Sequence, residues 1–351
     1  MQKKISLIVA TYNRAKPLDL LLERLTKQTL DHSLWEVVVC DDGSSDNTQD
    51  ILAGWADKAT YTLDFFRQEN QGQCVGRDAA IRRSHSPLVV VIDDDMEVCD
   101  TFLEEYVNIL SGHPKTVAIG RVYPRENWQT YPLYEAIREY MMTKSHEKLA
   151  SGEITPTGTY FITMNVAFYK DFYLEVGGFD KTLRLNEDCE LGWRFERHGA
   201  HYVFADKASA VHHSNIGLYH KWYKRQYDYG GYAVYVWEKF KKDVYLHPLR
   251  NLVNGSKANR ALVMAVIWSN LLSRFTLMGI KCIGDLAGAG GQLKIALMAY
   301  NAILTLQYHR GVKDKLGGTL EFLEERSAFL NAPDHPDSPL GTGPTFKSEN
   351  T

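Results

Sequence analysis

The chain has 351 residues, 44% hydrophobic and 24% charged, the balance of an ordinary soluble globular enzyme. It is long enough for one large α/β domain with an extension, or for two domains, and with a net charge of −3 nothing argues for nucleic acid as the main partner. Five cysteines (Cys40, Cys74, Cys99, Cys189, Cys282) are odd in number, scattered and without a CxxC pair, so reduced thiols are expected rather than a disulfide framework or a zinc site.

The opening MQKKISLIVATYNR carries an apolar stretch too short for a signal peptide. Ile5 to Ala10 reads as a buried strand, and Val37 to Cys40, Tyr61 to Phe66 and Leu88 to Ile92 read as three more. Helical patterns lie between them. Pro17 suits a first helical turn, followed by Leu18, Leu21, Leu22 and Leu25 at helical spacing. Asp46 with Gln49 resembles a capping box ahead of Ile51, Leu52 and Trp55, and Ala79 to Ile81 lie in a third short helix. Further on come a strand near Val117 to Val122, a helix across Tyr131 to Lys148, and a strand from Thr159 to Phe168. A helix then runs from Asn186 to His198, with Asn186 as N-cap, and Tyr202 to Ala205 is a short strand. Another strand covers Ser209 to Ser214. From Leu218 the pattern is helical, with apolar stretches Ala261 to Ser273 and Ile295 to Tyr308 flanking a glycine-rich turn, Gly284 to Gly291. The tail from about Asn331 is rich in Pro, Gly and Ser and is expected to be disordered.

Strands alternating with helices predict a mostly parallel sheet covered on both faces. Such sheets bind ligands outside the carboxyl ends of their strands. The chemically capable residues fall there: Thr11-Tyr12-Asn13-Arg14 after the first strand, Asp41 to Asp46 after the second, and Asp93-Asp94-Asp95 after the fourth. Adjacent carboxylates at a strand end repel one another. A divalent cation would relieve that repulsion, and Mg²⁺ or Mn²⁺ takes one or two carboxylates with phosphate oxygens and water.

Six segments in order complete the pattern: VATYNR (Val9 to Arg14), DDGSSDNT (Asp41 to Thr48), ENQGQCVGRD (Glu69 to Asp78), IDDD (Ile92 to Asp95), GGFD (Gly177 to Asp180) and NEDCELGWR (Asn186 to Arg194). Together they resemble family 2 glycosyltransferases of the GT-A fold over about residues 4 to 215. The resemblance implies a Rossmann-like, mostly parallel sheet with helices on both faces, plus a helical C-terminal extension. The implied organisation is a catalytic domain over 1–215 (nucleotide-sugar half about 1–100, acceptor half about 101–215), a helical region over 216–330 and a tail over 331–351.

Position by position, the resemblance implies that Tyr12 stacks on the nucleotide base and that Asp42 hydrogen-bonds base or ribose. Thr11, Arg14 and Arg77 belong with the nucleotide contacts. Asp95 is the implied metal ligand, with Asp93 and Asp94 on ribose or metal-bound water, and Mn²⁺ or Mg²⁺ the implied cofactor. Asp188, second acid of the Glu187-Asp188 pair, is the implied general base of an inverting transfer, although acids in a first helical turn are also favoured by the helix dipole alone. Some proteins of this fold have a histidine ligand where His212 and His213 stand. Neighbouring strand residues face opposite ways, so at most one of the two would meet the metal.

Tyr219, Tyr223 and Tyr227 share a helix face, open to an acceptor sugar, to lipid headgroups or, as the simplest account, to core packing. Arg225-Gln226 departs from the QxxRW pattern of processive synthases, which favours transfer of one sugar. The two C-terminal apolar runs are shorter than a spanning helix needs, so a cytoplasmic protein is expected, with peripheral contact to the inner membrane through these helices left open. The expected activity is hexosyl or N-acetylhexosaminyl transfer from a nucleotide-sugar donor, UDP-linked for preference, to a glycan or lipid-linked acceptor. A sugar nucleotidyltransferase would carry a glycine-rich phosphate loop where ATYNR stands, and an inactive scaffold would be expected to lose Asp95 or Asp188.

Overall fold

The computed structural model describes residues 3–213, 217–240, 243, 246–253 and 255–331. The expected tail beyond Asn331, and Ser214 at the end of an expected strand, lie outside the described residues. Chain contacts define two compact units, Met1–Thr130 with Arg138–Asn215, and Tyr131–Ile137 with Ile216–Thr351.

The first unit runs β1 (Ile5–Thr11), α1 (Ala15–Leu25), β2 (Trp35–Asp41), α2 (Thr48–Lys58), β3 (Thr62–Arg67), α3 (Gln73–Arg83), β4 (Leu88–Ile92), β5 (Met96–Val98), α4 (Phe102–Leu110) and β6 (Thr116–Pro124). It continues with α5 (Leu133–Ala150, whose part before Arg138 belongs to the second unit), β7 (Asn165–Tyr169), α6 (Lys170–Glu175), α7 (Glu187–Arg197) and β8 (His201–His212). The eight strands form one sheet in the order β3-β2-β1-β4-β7-β6-β8-β5. β3, β2, β1 and β4 are parallel, β7 runs against both its neighbours, β8 is parallel to β6, and β5 is antiparallel to β8.

Every residue of β1, β2 and β4 is buried, as befits parallel strands covered on both faces. Alternate side chains divide between two cores. Ile5, Leu7 and Val9 join Leu18, Leu21, Leu22 and Leu25 of α1 on one face. Ile8, Val38 and Cys40 face Ala80, Ile81, Phe168 and Phe195 on the other. At the start of these strands a buried polar pair is bonded within the sheet: Ser6 Oγ donates to Glu36 Oε1 at 2.6 Å.

Several expected elements are redrawn. The strand expected over Thr159 to Phe168 is a 3₁₀ turn at Gly158–Tyr160 followed by β7 alone. The turn is imposed by packing, because a Cβ on Gly158 would lie 2.4 Å from the Gly192 carbonyl oxygen of α7. The two strands expected over Tyr202–Ala205 and Ser209 onward are one strand, β8, whose register with β6 shifts between Gly120 and Arg121. β5, α4 and α6 were not expected. The capping box does not form: Asn47 is the N-cap of α2, while Asp46 accepts from the Thr48 N–H and hydroxyl and Gln49 donates to Asp41. Asn186 does precede α7, but with φ 62° and no side-chain capping bond.

In the second unit, α8 (Tyr219–Lys239), α9 (Arg250–Val253), α10 (Lys257–Val266), α11 (Asn270–Ala289), α12 (Leu293–Leu316) and α13 (Thr319–Leu330) follow one another. The apolar stretch Ala261 to Ser273 is divided between α10 and α11, with Ser269 capping α11 through the Leu272 N–H. Most of the expected glycine-rich turn is helix. Gly284 lies inside α11 against Ala299 and Tyr300, and the chain reverses only at Gly290-Gly291. The Tyr219 ring packs internally with Tyr134, Trp222, Tyr223 and Tyr300. Among the described residues no helix is long and apolar enough to cross a membrane.

Candidate active site

Because β1, β2 and β4 run in parallel, their carboxyl ends present Thr11, Asp41-Asp42 and Asp93-Asp94-Asp95 at one edge of the sheet. β8, parallel to β6, brings His212 to Met96, the residue after Asp95. The edge expected from sequence is thus assembled from residues up to about two hundred positions apart in the chain.

The triplet is held by cations of the protein itself. Thr11 Oγ1 donates to Asp94 Oδ2 at 2.6 Å, Arg14 Nε lies 2.7 Å from Asp94 Oδ1, and the Arg14 Nη2 group bonds Asp95 Oδ2. Arg77 Nη2 donates to Asp93 Oδ1 at 2.5 Å, and its Nη1 lies 3.5 Å from Glu187 Oε1. Arg77 is buried, with 3% of its side chain exposed. It is placed as an internal brace, joining the acidic edge to the first turn of α7. The carboxylate repulsion expected to demand a metal is therefore relieved in part by Arg14 and Arg77, a pairing that composition and spacing do not reveal.

Burial pushes the Asp94 carboxyl up to about 7, against the pull of Arg14 and Thr11. Burial opposes the charge of Asp95 too, but His212 and Arg14 outweigh it and hold Asp95 below the usual carboxylate range. His212 Nε2 stands 3.6 Å from Asp95 Oδ2, and its Nδ1 lies 3.1 Å from Glu139 Oε1 on α5. Burial disfavours its imidazolium, yet these two carboxylates raise it to about 9. His213 points elsewhere, with Nε2 3.0 Å from Glu97 Oε2. The His213 N–H donates to the Asp95 backbone carbonyl at 2.8 Å, so of the two histidines only His212 brings its ring to the Asp95 carboxylate. Glu139 was missed by the sequence reading, since nothing local marks a helical glutamate as the partner of a histidine 73 positions later.

Among the described residues no three His, Cys, Asp or Glu side chains gather as a self-sufficient metal site. Asp95 Oδ1, however, is buried and accepts no hydrogen bond from the described residues. One free carboxylate oxygen fits a hard divalent cation that takes its remaining ligands from a diphosphate and water, and His212 would join it only in its neutral form, its proton displaced as the cation binds.

The nucleotide side is built from two interlocked loops. Asn13, at φ 53°, is in the left-handed region that asparagine tolerates. Its Oδ1 accepts from the Ser45 N–H at 2.7 Å, and its own N–H donates to Ser44 Oγ at 2.9 Å. This fixes the exit of β1 to the exit of β2 and leaves Tyr12, 46% exposed, turned away from the core. Asp42 is buried, and its carboxylate accepts from Gln68 Nε2 and the Gln71 and Gly72 N–H groups at 2.7–2.9 Å. It organises the 68–72 loop at the same edge. From sequence, Asn13 and Gln71-Gly72 stand only within their segments with no role of their own, because what they contribute is backbone geometry.

Asp188 stands in the first turn of α7, where the Cys189 N–H donates to its Oδ1 at 2.8 Å. Burial, reinforced by the charge of Glu187, raises its carboxyl to about 6. A carboxylate tuned toward neutrality is suited to proton transfer. The helix is set in place by the Gly192–Gly158 contact and by Arg194, which pairs with Glu190 and donates to the Val176 and Gly178 carbonyls. The GGFD and NEDCELGWR segments are thereby one structural assembly.

Residues 6–173 match the family described as Glycosyl transferase family 2. Among curated relatives, validoxylamine A glucosyltransferase of Streptomyces hygroscopicus subsp. jinggangensis is 29% identical over 223 residues, covering 56% of this chain and 52% of that protein. Chondroitin synthase of Escherichia coli is 25% identical over 245 residues, covering 61% and 35%. The chain spans about half, or less, of the length of these relatives. Two solved structures share the fold. A mannosyltransferase from Pyrobaculum calidifontis, in complex with GDP-Man and Mn²⁺, has TM-score 0.56 at 18% identity, with 94% of this chain and 88% of that one covered. S. aureus TarS 1-349, in complex with UDP, has TM-score 0.51 at 18% identity, covering 89% and 90%. The fold is GT-A with a helical C-terminal region. Over residues 6–173 the chain is similar to family 2 glycosyltransferases.

Proposed function

We propose that the chain is an inverting glycosyltransferase that moves one sugar from a nucleoside diphosphate donor, UDP-linked for preference, to a hydroxyl acceptor on a glycan or lipid-linked glycan. The reading places it in surface polysaccharide or glycolipid synthesis at the cytoplasmic face of the membrane. The observation that carries it is Asp188, a carboxylate raised to about 6 and joined through Glu187, Arg77 and Asp93 to the acidic edge at the strand ends.

In this mechanism Tyr12 offers its ring to the base, while Asp42, through the loop it organises, and Asp93 border the ribose. Asp188 takes the proton of the acceptor hydroxyl as that oxygen forms a bond to the anomeric carbon. The bond from that carbon to the diphosphate oxygen breaks, and the electron pair leaves with the nucleoside diphosphate. Arg14, held between Asp94 and Asp95, supplies fixed positive charge beside the diphosphate. Asp95, through Oδ1, and His212 are the residues that would hold Mn²⁺ or Mg²⁺. When bound, such a cation neutralises charge on the departing diphosphate.

Calorimetric titration with UDP, GDP and dTDP, with and without Mn²⁺, tests the reading on the wild type and Asp95→Ala. One nucleotide is expected to bind in a metal-dependent manner that the substitution abolishes. Failure of all three, or binding indifferent to both metal and Asp95, would overturn the metal-assisted reading.

A further inference from the structure

α11 is apolar on its exposed side as well as on its buried one. Ser273, Leu277 and Gly284 face the interior of the second unit. On the opposite side Leu271 is 65% exposed, Phe275 61% and Met278 64%, and Leu272, Ile283 and Leu286 continue the surface. At 100° per residue these side chains, with Gly279, Cys282 and Ala289 between them, cover a continuous arc of about 140° without a charge. The helix has 20 residues, so the strip is about 30 Å long. A soluble surface leaves so large an apolar patch bare only where something covers it.

Charge selects the covering. The second unit, residues 131–137 and 216–351, holds 17 Lys and Arg against 12 Asp and Glu, while the first unit holds 23 against 31. The basic excess is confined to the unit that carries the apolar strip. Arg274 is exposed on α11 at the margin of the arc, the same margin as the exposed Asp285 whose charge Lys281 pairs at 2.5 Å, and Trp268, an interface-seeking residue, is exposed just ahead of the helix. A second copy would set two surfaces of like charge together, whereas an anionic lipid surface complements both the strip and its charge.

We propose that the exposed face of α11 is a docking surface for an anionic bilayer, with the helix lying in the headgroup boundary rather than crossing it. This does not rest on the transfer chemistry, because none of its residues belongs to the carboxylate edge.

Flotation of the full chain with phosphatidylglycerol vesicles and with phosphatidylcholine vesicles tests it. The wild type is expected to float with the first, far less with the second, and to be largely released by salt. Replacing Leu271, Phe275 and Met278 together by Ser should weaken vesicle partition at least tenfold. Arg274→Gln should weaken it about fivefold, the share of one cation near an anionic surface. A wild type that ignores phosphatidylglycerol would overturn the proposal even if the variants failed to fold. So would a triple variant that floats as well as the wild type, or a dimer in sedimentation that Phe275→Ser dissociates, since the face would then belong to a second copy.

Discussion

Asp188 is the residue whose environment makes the strongest demand on experiment. Its carboxyl is raised to about 6, by burial first and the Glu187 charge second, and only the ionised form accepts a proton. Below that value the base is protonated, so kcat/KM should fall as pH drops through about 6 and level off above it. A pH–rate profile of the wild type checks this, and a profile flat from pH 5 to pH 7 would count against Asp188. Arg77 tests a different matter. Its buried guanidinium serves Asp93 and Glu187 together, and Arg77→Ala would strand both carboxylates. Removing one partner of a buried pair typically costs about 3–5 kcal/mol. Thermal unfolding should show a loss of that order, whereas a direct nucleotide contact alone would leave the melting temperature unmoved.

Among the elements, α7 is placed by a glycine pair. A Cβ on Gly192 would lie 2.3 Å from the Gly158 carbonyl oxygen, so Gly192→Ala must push α7 away from the 3₁₀ turn and carry Asp188 with it. Overpacking of this kind costs about 1–3 kcal/mol, and kcat is expected to fall further than stability alone would account for, as single-turnover rates would show. In the second unit α8 and α12 cross where added Cβ atoms at Gly230 and Gly311 would meet the Tyr308 and Tyr227 carbonyls at 2.0 and 1.9 Å. Gly311→Ala should lower the melting temperature and leave nucleotide affinity at the first unit intact. The elements that sequence revealed well were the buried parallel strands and the α1 leucine stripe, whose periodicity is strong. β5, with three residues, is too short to show a period. The strand expected over Thr159 to Phe168 forms only from Asn165 onward, because the backbone before it is bent at Gly158–Tyr160 by contact with α7, a constraint no local pattern carries.

At the scale of the molecule, the sequence located the chemistry more surely than the contacts that shape it. Three segments, after the first, second and fourth expected strands, pointed to one sheet edge, and the structure assembles that edge from the ends of β1, β2 and β4. Left unread were the pairings across the fold, Arg14 with Asp94 and Asp95, Arg77 with Glu187, and His212 with Glu139, because each joins residues brought together only by topology. The central claim is that this edge and Asp188 perform sugar transfer. Its most direct test is release of nucleoside diphosphate from a panel of nucleotide sugars, with water as the default acceptor, by the wild type and by Asp188→Asn. The account predicts release from at least one donor, slowed about 10²–10⁴-fold in a variant that still binds the nucleotide. Equal release by the two proteins would contradict it.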